Sequence, residues 1–275
     1  MDHNAPIAEA DVGLRRIPAG ARHARILELV DRDGFVSVGD IAESFAVSDM
    51  TIRRDLESLE EKGMLIRTHG GAVGIGRREV FDAAEPAFSS RRRHNATAKA
   101  AIARAAAQLI GSRESIGVDV GTSTLALAEE IAGRQDIAVF TSNLYAAAVL
   151  GRRSTPVHVL GGIVRGPELS VVGSSPIKQI RQFCVAKLFL GVSGVIEEGF
   201  FDYSPEDTEI KRVFIEQSEE VIVLCDSSKF DHRSVSKVCE LGEVGTLVTD
   251  APPPAHLGGA LARAGVKIMI ASSPA

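Results

Sequence analysis

SVGDIAESFAVSDMTIRRDLESLEEKGMLIRTHGGAV, residues 37–73, decides the architecture of the N-terminal part of the chain. Ser37 with Asp40 three residues on is a variant capping box. It opens a helix that carries Ile41, Ala42 and Phe45. Ala46-Val47 forms a tight turn, Ser48 caps a longer helix, and Gly63 stops it. Within that helix Ile52, Leu56 and Leu59 recur at i, i+4 and i+7, so they share one face that must be buried. Met50, Thr51, Arg53 and Arg54 fall on the other face, near the N-terminal end. MLIRTHGGAV (64–73) alternates apolar and polar residues around Gly70-Gly71, the pattern of a short hairpin. Upstream, 22–33 is helical, with Ile26, Leu27 and Val30 on one side, and Phe35-Val36-Ser37 breaks the pattern.

Three short helices followed by a hairpin make a winged helix-turn-helix. In that arrangement the N-terminal end of the second helix of the motif enters the major groove of DNA. Arginine there bonds guanine in a bidentate fashion, threonine meets a thymine methyl or a phosphate, and the helix N-terminus favours a phosphate. The candidate DNA contacts are therefore Ser37, Ser48, Met50, Thr51, Arg53 and Arg54, with Arg67, Thr68, His69 and Gly70 on the wing. The charge balance runs the other way. The whole chain carries a formal net charge of −5, and residues 21–73 hold ten acids against seven Lys and Arg. The acids must face away from DNA, and a homodimer or homotetramer is needed for avidity. Arg77, Arg78 and Arg91–Arg93 either add phosphate contacts or belong to a solvated linker.

A chain of 275 residues is too long for this unit alone. Residues 1–20 read as a lead-in, 21–73 as the DNA-binding domain, 74–93 as a linker rich in glycine and charge, and 94–275 as a second domain. From 94 onward, apolar runs at 115–120, 137–140, 157–160, 188–192, 221–225, 246–249 and 267–271 alternate with amphipathic stretches at 123–133, 143–151, 205–219 and 255–264. That alternation predicts an open α/β domain with a mainly parallel sheet covered on both faces. The three cysteines, Cys184, Cys225 and Cys239, are too few and too unevenly spaced for a disulfide frame or a zinc site. Reduced thiols, no apolar h-region near the N-terminus and no membrane-length apolar run predict a cytoplasmic protein. No cofactor and no metal are expected.

GVDVGTSTLALAEEI (117–131) joins a strand, a Gly-Thr-Ser-Thr turn and a helix. The free N–H groups at such a helix start, with the hydroxyls of Thr122, Ser123 and Thr124, suit a phosphate. An ordinary capped turn is the equal alternative. The loop is neither a Walker A motif nor a full GxGxxG. Other strand ends add polar turns: Thr141-Ser142-Asn143, then Gly161, Gly162 and Arg165, then Asp226-Ser227-Ser228-Lys229. Ligands of open α/β sheets sit at the carboxyl ends of strands, so these turns are expected to converge on one crevice. Arg165 or Lys229 would neutralise a phosphate there, and Asn143 or Asp226 would bind hydroxyls.

TIRRDLESLE with the following RTHGGA resembles the DNA-binding signature of the DeoR family of bacterial regulators. DVGTST, the TSN turn, GGIVR with the later SVVG, FLGVSG, EIKR and DSSKF match the pattern of its sensor domain in order. The resemblance spans about 21–271. It implies a small winged helix-turn-helix plus a larger open α/β sensor domain resembling ribose-5-phosphate isomerase. It also implies a repressor of a carbohydrate or glycerol metabolism operon, with double-stranded operator DNA and a phosphorylated sugar or polyol as partners. Effector candidates on this basis are Asp119, Gly121, Thr122, Ser123, Thr124, Asn143, Gly161, Arg165, Gly191, Lys211, Asp226 and Lys229. FDYSPEDTEIKR (201–212) and TDAPPP (249–254) resemble the branch of the family that answers to glycerol 3-phosphate. The chain departs from the family pattern at Ala186, where an acid is frequent, and at Ser142, where Asn is frequent. The expected protein is not an enzyme. The alternative is an isomerase-like enzyme fused to a DNA-binding module, with Asp226, Glu209 or Lys229 as the base or acid. A regulator with an empty sensor is the third reading.

Overall fold

The computed structural model describes residues 18–33, 35–67, 71–74, 80–81 and 85–271. The chain forms two compact units, Met1–Val80 and Phe81–Ala275.

The first unit contains α1 (Ala19–Asp33), β1 (Phe35–Ser37), α2 (Val38–Ser44), α3 (Asp49–Glu61), β2 (Leu65–Arg67) and β3 (Gly71–Gly74). Ser48 caps α3, its Oγ accepting from the Thr51 N–H at 3.3 Å. Gly63 follows the helix at φ +65°, a left-handed conformation that stops it at low steric cost. Ile52, Leu56 and Leu59 are buried against Ile26, Val30, Ile41 and Phe45 in one apolar core. Phe35-Val36-Ser37 forms more than a break between helices. It is a third strand of the wing sheet, antiparallel to β3 in the order β1-β3-β2. Thr68, His69, Gly70, Arg77 and Arg78 lie outside the described residues, as does the side chain of Ser37.

One polar contact crosses this small core. Asp55 of α3 is 6% exposed and accepts from Arg22 Nε at 2.7 Å and Arg22 Nη2 at 2.9 Å. His23 Nε2 lies 3.1 Å from its other edge. Both partners come from α1, so the bidentate pair ties α1 to α3.

A two-residue strand, β4 (Val80–Phe81), stands at the boundary between the units. The second unit runs α4 (Phe88–Arg93), α5 (Ala96–Ala107), β5 (Ser115–Val118), α6 (Thr122–Ile131), β6 (Ala138–Thr141), α7 (Leu144–Arg152) and β7 (Val157–Val159). A hairpin follows, β8 (Ile163–Arg165) and β9 (Ser170–Val172), then α8 (Ser174–Ile180) and β10 (Val185–Gly191). Next come β11 (Gly194–Ile196), β12 (Gly199–Asp202), α9 (Pro205–Glu216) and β13 (Ser218–Leu224). The unit ends with β14 (His232–Arg233), β15 (Ser236–Cys239), β16 (Thr246–Thr249), α10 (Ala255–Arg263) and β17 (Lys267–Ile270).

The seven apolar runs become one seven-stranded sheet, all parallel, in the order β17-β16-β13-β10-β5-β6-β7. Period-two alternation sends its side chains into two separate cores. Leu188, Leu190, Val221, Val223 and Leu247 face α8, α9 and α10. Phe189, Ile222, Leu224 and Val248 face α5, α6 and α7. Residues 88–93, within the stretch read as linker, are helical. Buried Phe88 stacks on Tyr145 of α7 with ring centroids 4.7 Å apart, so α4 is part of the packed unit. Among the described residues no helix is long and apolar enough to cross a membrane.

The Asp55 pair has a measurable consequence. Asp55→Ala removes the bidentate tie between α1 and α3, and the loss of stability is expected to be about 2 kcal/mol. Faster amide exchange in α1 and α3, with β5 and β10 of the other unit unchanged, is the signature. Exchange unchanged in α1 would refute the role.

Candidate functional site

Two surfaces carry chemistry, one in each unit. On the first, Ser48 and Arg53 and Arg54 of α3 are exposed, Met50 is 61% exposed and Thr51 half-buried. Among the described residues no carboxylate pairs with Arg53 or Arg54. Arg67 on the wing is less free. It lies 3.5 Å from Glu57 and 3.6 Å from Glu60, and its backbone N–H donates to Glu60 at 3.0 Å. Two of the exposed acids are thereby drawn to the wing, and Asp55 is consumed inside the core. The remaining picture is a helix N-terminus with two unpaired arginines, which suits a phosphate-lined groove.

On the second unit a cleft opens at the C-terminal ends of β5 and β10. Gly121, Thr122 and Ser123 line it, and Gly121 caps α6 without a side-chain bond, so the first N–H groups of α6 stay open. Gly121 sits at φ +145°, where a side chain is strained. A Cβ on Gly191 would stand 2.9 Å from the Val120 carbonyl, so the close approach of β10 to this loop needs glycine. Three cations line the same cleft: Arg91, Lys99 and Lys229. His94, Ser193, Asp202 and Tyr203 complete its polar wall.

Beneath the cleft lies a buried ion pair. Lys211 of α9 bonds Asp119, donates to the Gly191 carbonyl at 2.8 Å, and lies 3.0 Å from Asp202. Asp119 also accepts from the Gly191 N–H at 3.0 Å. Burial raises the Asp119 pKa to about 6 against the pull of Lys211. Burial opposes the charge of Lys211, but Asp119, Asp202 and Asp207 outweigh it and raise its pKa. Lys211 thus has two hydrogen bonds and a further ionic contact, all inside the protein.

The predicted effector residues divide accordingly. Gly121, Thr122, Ser123, Gly191 and Lys229 line the cleft. Asp119 and Lys211 form its floor. Thr124 is buried and its hydroxyl donates to the Gly121 carbonyl, which secures the loop. Asn143 caps α7, accepting from Tyr145 and Ala146 N–H groups at 3.0 and 3.2 Å. Gly161 exchanges two hydrogen bonds with Gln179 and does not reach the cleft. Arg165 is held by Asp207, with Glu85 at 3.6 Å, also away from the cleft. Asp226 accepts from Asn95 and from the Ser228 N–H, and lies 4.0 Å from Lys99. The loops after β5, β10 and β13 thus line the cleft, the turn after β6 reaches its floor through the Asn143 amide, which donates to the Asp119 carbonyl at 3.4 Å, and Gly161 and Arg165 after β7 do not line it.

The lining includes residues that the motif reading missed. Arg91, a candidate for DNA phosphate contact or a solvated linker, is mostly buried and ion-paired with Glu85 and Glu168, with Nε donating to the Pro86 carbonyl. Lys99 is 5% exposed and its ammonium donates to the carbonyls of Arg91 and His94. A signal existed: Lys99, Ile102, Ala103 and Ala106 share one helical face, and a single lysine among them is a charge on a buried stripe. Burial lowers the Lys99 pKa to about 8, with Asp226 opposing.

Comparison with known proteins finds a family match for each unit. The profile of the DeoR-like helix-turn-helix domain matches residues 22–78, and that of the DeoR C terminal sensor domain matches residues 94–251. The chain belongs to the DeoR family. Among curated relatives, the glycerol-3-phosphate regulon repressor of Escherichia coli (strain K12) is 31% identical over 85% of this chain and 91% of its own length. Transcriptional repressor AccR of Agrobacterium fabrum is 34% identical over 84% of this chain and 89% of its own. The putative aga operon transcriptional repressor of Escherichia coli O157:H7 is 28% identical over 90% of this chain and 93% of its own. A ribose 5-phosphate isomerase from Methanocaldococcus jannaschii aligns over 48% of this chain and 53% of its own, with 16% identity and a TM-score of 0.37. A superposition that loose carries no argument about ligand or chemistry. As a DeoR-family protein the chain is a transcriptional regulator that pairs a DNA-binding helix-turn-helix with a sensor domain.

Lys99 gives the cleft a pH signature. Below about pH 8 it is a cation and attracts an anion, and above that it is neutral. Affinity for an anionic ligand therefore falls as pH rises through 8. A bound anion raises the Lys99 pKa, so binding at pH 8 takes up protons. Calorimetry in two buffers of different ionisation enthalpy reads this uptake. The same experiment on Lys99→Met is expected to show most of it gone.

Proposed function

We propose that this regulator is a repressor of a carbohydrate or glycerol metabolism operon, released from its operator by a phosphorylated sugar or polyol bound in the cleft of the second unit. The single observation that carries this reading is the cleft itself: three cations and the open N-terminus of α6 around one small, partly enclosed space. Glycerol 3-phosphate is the leading candidate effector. It is supported by the similarity to the E. coli glycerol-3-phosphate regulon repressor and by the FDYSPEDTEIKR and TDAPPP segments.

In this reading 1–20 is a lead-in, 21–73 the DNA-binding domain, 74–93 a connection and 94–275 the sensor. Arg53 and Arg54 read base edges. Ser48, Met50, Thr51 and the wing from Arg67 to Gly70, with Ser37 before α2, position the phosphates. A homodimer or homotetramer supplies the two heads that an operator with repeated half-sites needs. Effector binding shifts the equilibrium between head arrangements, which lowers operator affinity.

The enzymatic alternative has less behind it. Asp226 is the best-placed acid. Burial raises its pKa, but the Ser228 hydroxyl, Lys229 and Asn95 more than offset this and hold it below the ordinary carboxylate range. A carboxylate so bonded is a weak general base. Glu209 is exposed on α9 and does not line the cleft.

Gel-shift titration of the chain's own upstream region tests the proposal. Millimolar glycerol 3-phosphate is expected to weaken binding at least tenfold, with Lys99→Met and Lys229→Met blunting the release. Arg54→Ala should weaken operator binding by roughly 10- to 100-fold, an effect of about 1–3 kcal/mol. No sequence preference in the wild-type protein would end the repressor reading.

A further inference from the structure

We infer that Asp202 sets the specificity of the cleft, admitting a monophosphate whose far end carries neutral hydroxyls and rejecting one whose far end is a second anion. The inference rests on the proposal that the cleft takes a phosphorylated effector, and it concerns the part of the ligand that the cations do not hold.

The lining is uneven in charge. Arg91, Lys99 and Lys229 come from α4, α5 and the turn after β13, and the open amides come from α6. Asp202 ends β12 and is the one carboxylate among the described residues that line the cleft. It is fixed in place: one oxygen accepts from the Tyr203 N–H at 2.8 Å, and the other lies 3.0 Å from Lys211. A carboxylate offers about four acceptor positions and no donor. Two of these are in use, so any ligand group meeting Asp202 must donate.

Neutralisation from behind is incomplete. Lys211 is shared between Asp119 and Asp202, and its third contact is the neutral Gly191 carbonyl. Two carboxylates and one ammonium leave this wall with one net negative charge. Lys211 is 1% exposed and does not itself line the cleft. A hydroxyl from the ligand satisfies Asp202, whereas a carboxylate or second phosphate meets like charge at this wall. Ser193 does not reverse this, because its hydroxyl donates to the Phe201 carbonyl at 3.1 Å and pairs with Ser234 at 2.7 Å.

Matched ligand pairs test the inference on the full chain. Glycerol 3-phosphate and 3-phosphoglycerate differ in one terminal group, CH2OH against carboxylate, and sorbitol 6-phosphate and 6-phosphogluconate differ in the same way. The wild-type protein is expected to prefer the alcohol of whichever pair it binds by about 100-fold in Kd. Asp202→Asn should shrink that gap at least tenfold, mainly by improving the acid, with the thermal midpoint confirming a folded protein. A merely structural role for Asp202 predicts equal losses for both members. An unchanged gap in the folded variant, or wild-type protein that binds acid and alcohol alike, overturns the inference. If Asp202→Asn does not fold, the wild-type preference decides. If no member of either pair and no inorganic phosphate binds, the phosphate reading of the cleft falls, and this inference falls with it.

Discussion

The buried contact between Asp119 and Lys211 is the constraint on which the sensor unit depends. Asp119 follows β5, Lys211 belongs to α9, and the Gly191 peptide at the end of β10 bonds both of them. One ion pair thus fastens two neighbouring central strands to a helix on one face of the sheet, at the strand ends where the cleft opens. Removing one partner from such a buried pair costs about 3–5 kcal/mol, because the other charge is left unsolvated. The arrangement also needs Gly191, since a side chain there would collide with the Val120 carbonyl. The FLG at the end of β10 therefore reflects close packing as much as ligand contact.

From that floor the electrostatics of the cleft follow. Asp119, Asp202 and Lys211 leave a slightly negative base, while Arg91, Lys99 and Lys229 supply positive charge above the open end of α6. Two of these cations have internal partners. Arg91 is ion-paired with Glu85 and Glu168, and Lys99 holds two backbone carbonyls near Asp226. The ligand-facing charge is thereby pre-organised, and a ligand need not immobilise long flexible side chains on binding. Arg91 also joins the cleft to the start of the second unit, since Glu85 and Pro86 are its partners and the unit begins at Phe81.

The DNA-binding unit resolves its own charge conflict in a similar way. Its acids outnumber its bases, yet Asp55 is enclosed by Arg22 and His23, and Glu57 and Glu60 turn toward Arg67. The unpaired arginines on the exposed face of α3 are then the ones that a groove would meet. Net charge was a poor guide because DNA senses the local field of one helix end, screened over about 8 Å at physiological ionic strength.

Much of this was legible in the chain alone. Residues 37–73 determined the winged helix-turn-helix, because caps, a stop glycine and i, i+4, i+7 spacing are local signals. The seven apolar runs determined the parallel sheet for the same reason, and DVGTST marked the loop that lines the cleft. Only the tertiary structure decided which polar residues meet. Gly161 and Arg165 look like ligand residues in sequence but are taken up by Gln179 and Asp207. Arg91 looks like linker in sequence but becomes a cleft wall. Local periodicity depends on neighbours three or four residues away, whereas a binding site depends on which strand ends lie side by side. That order, with β10 between β5 and β13, is set by packing across more than a hundred residues of chain.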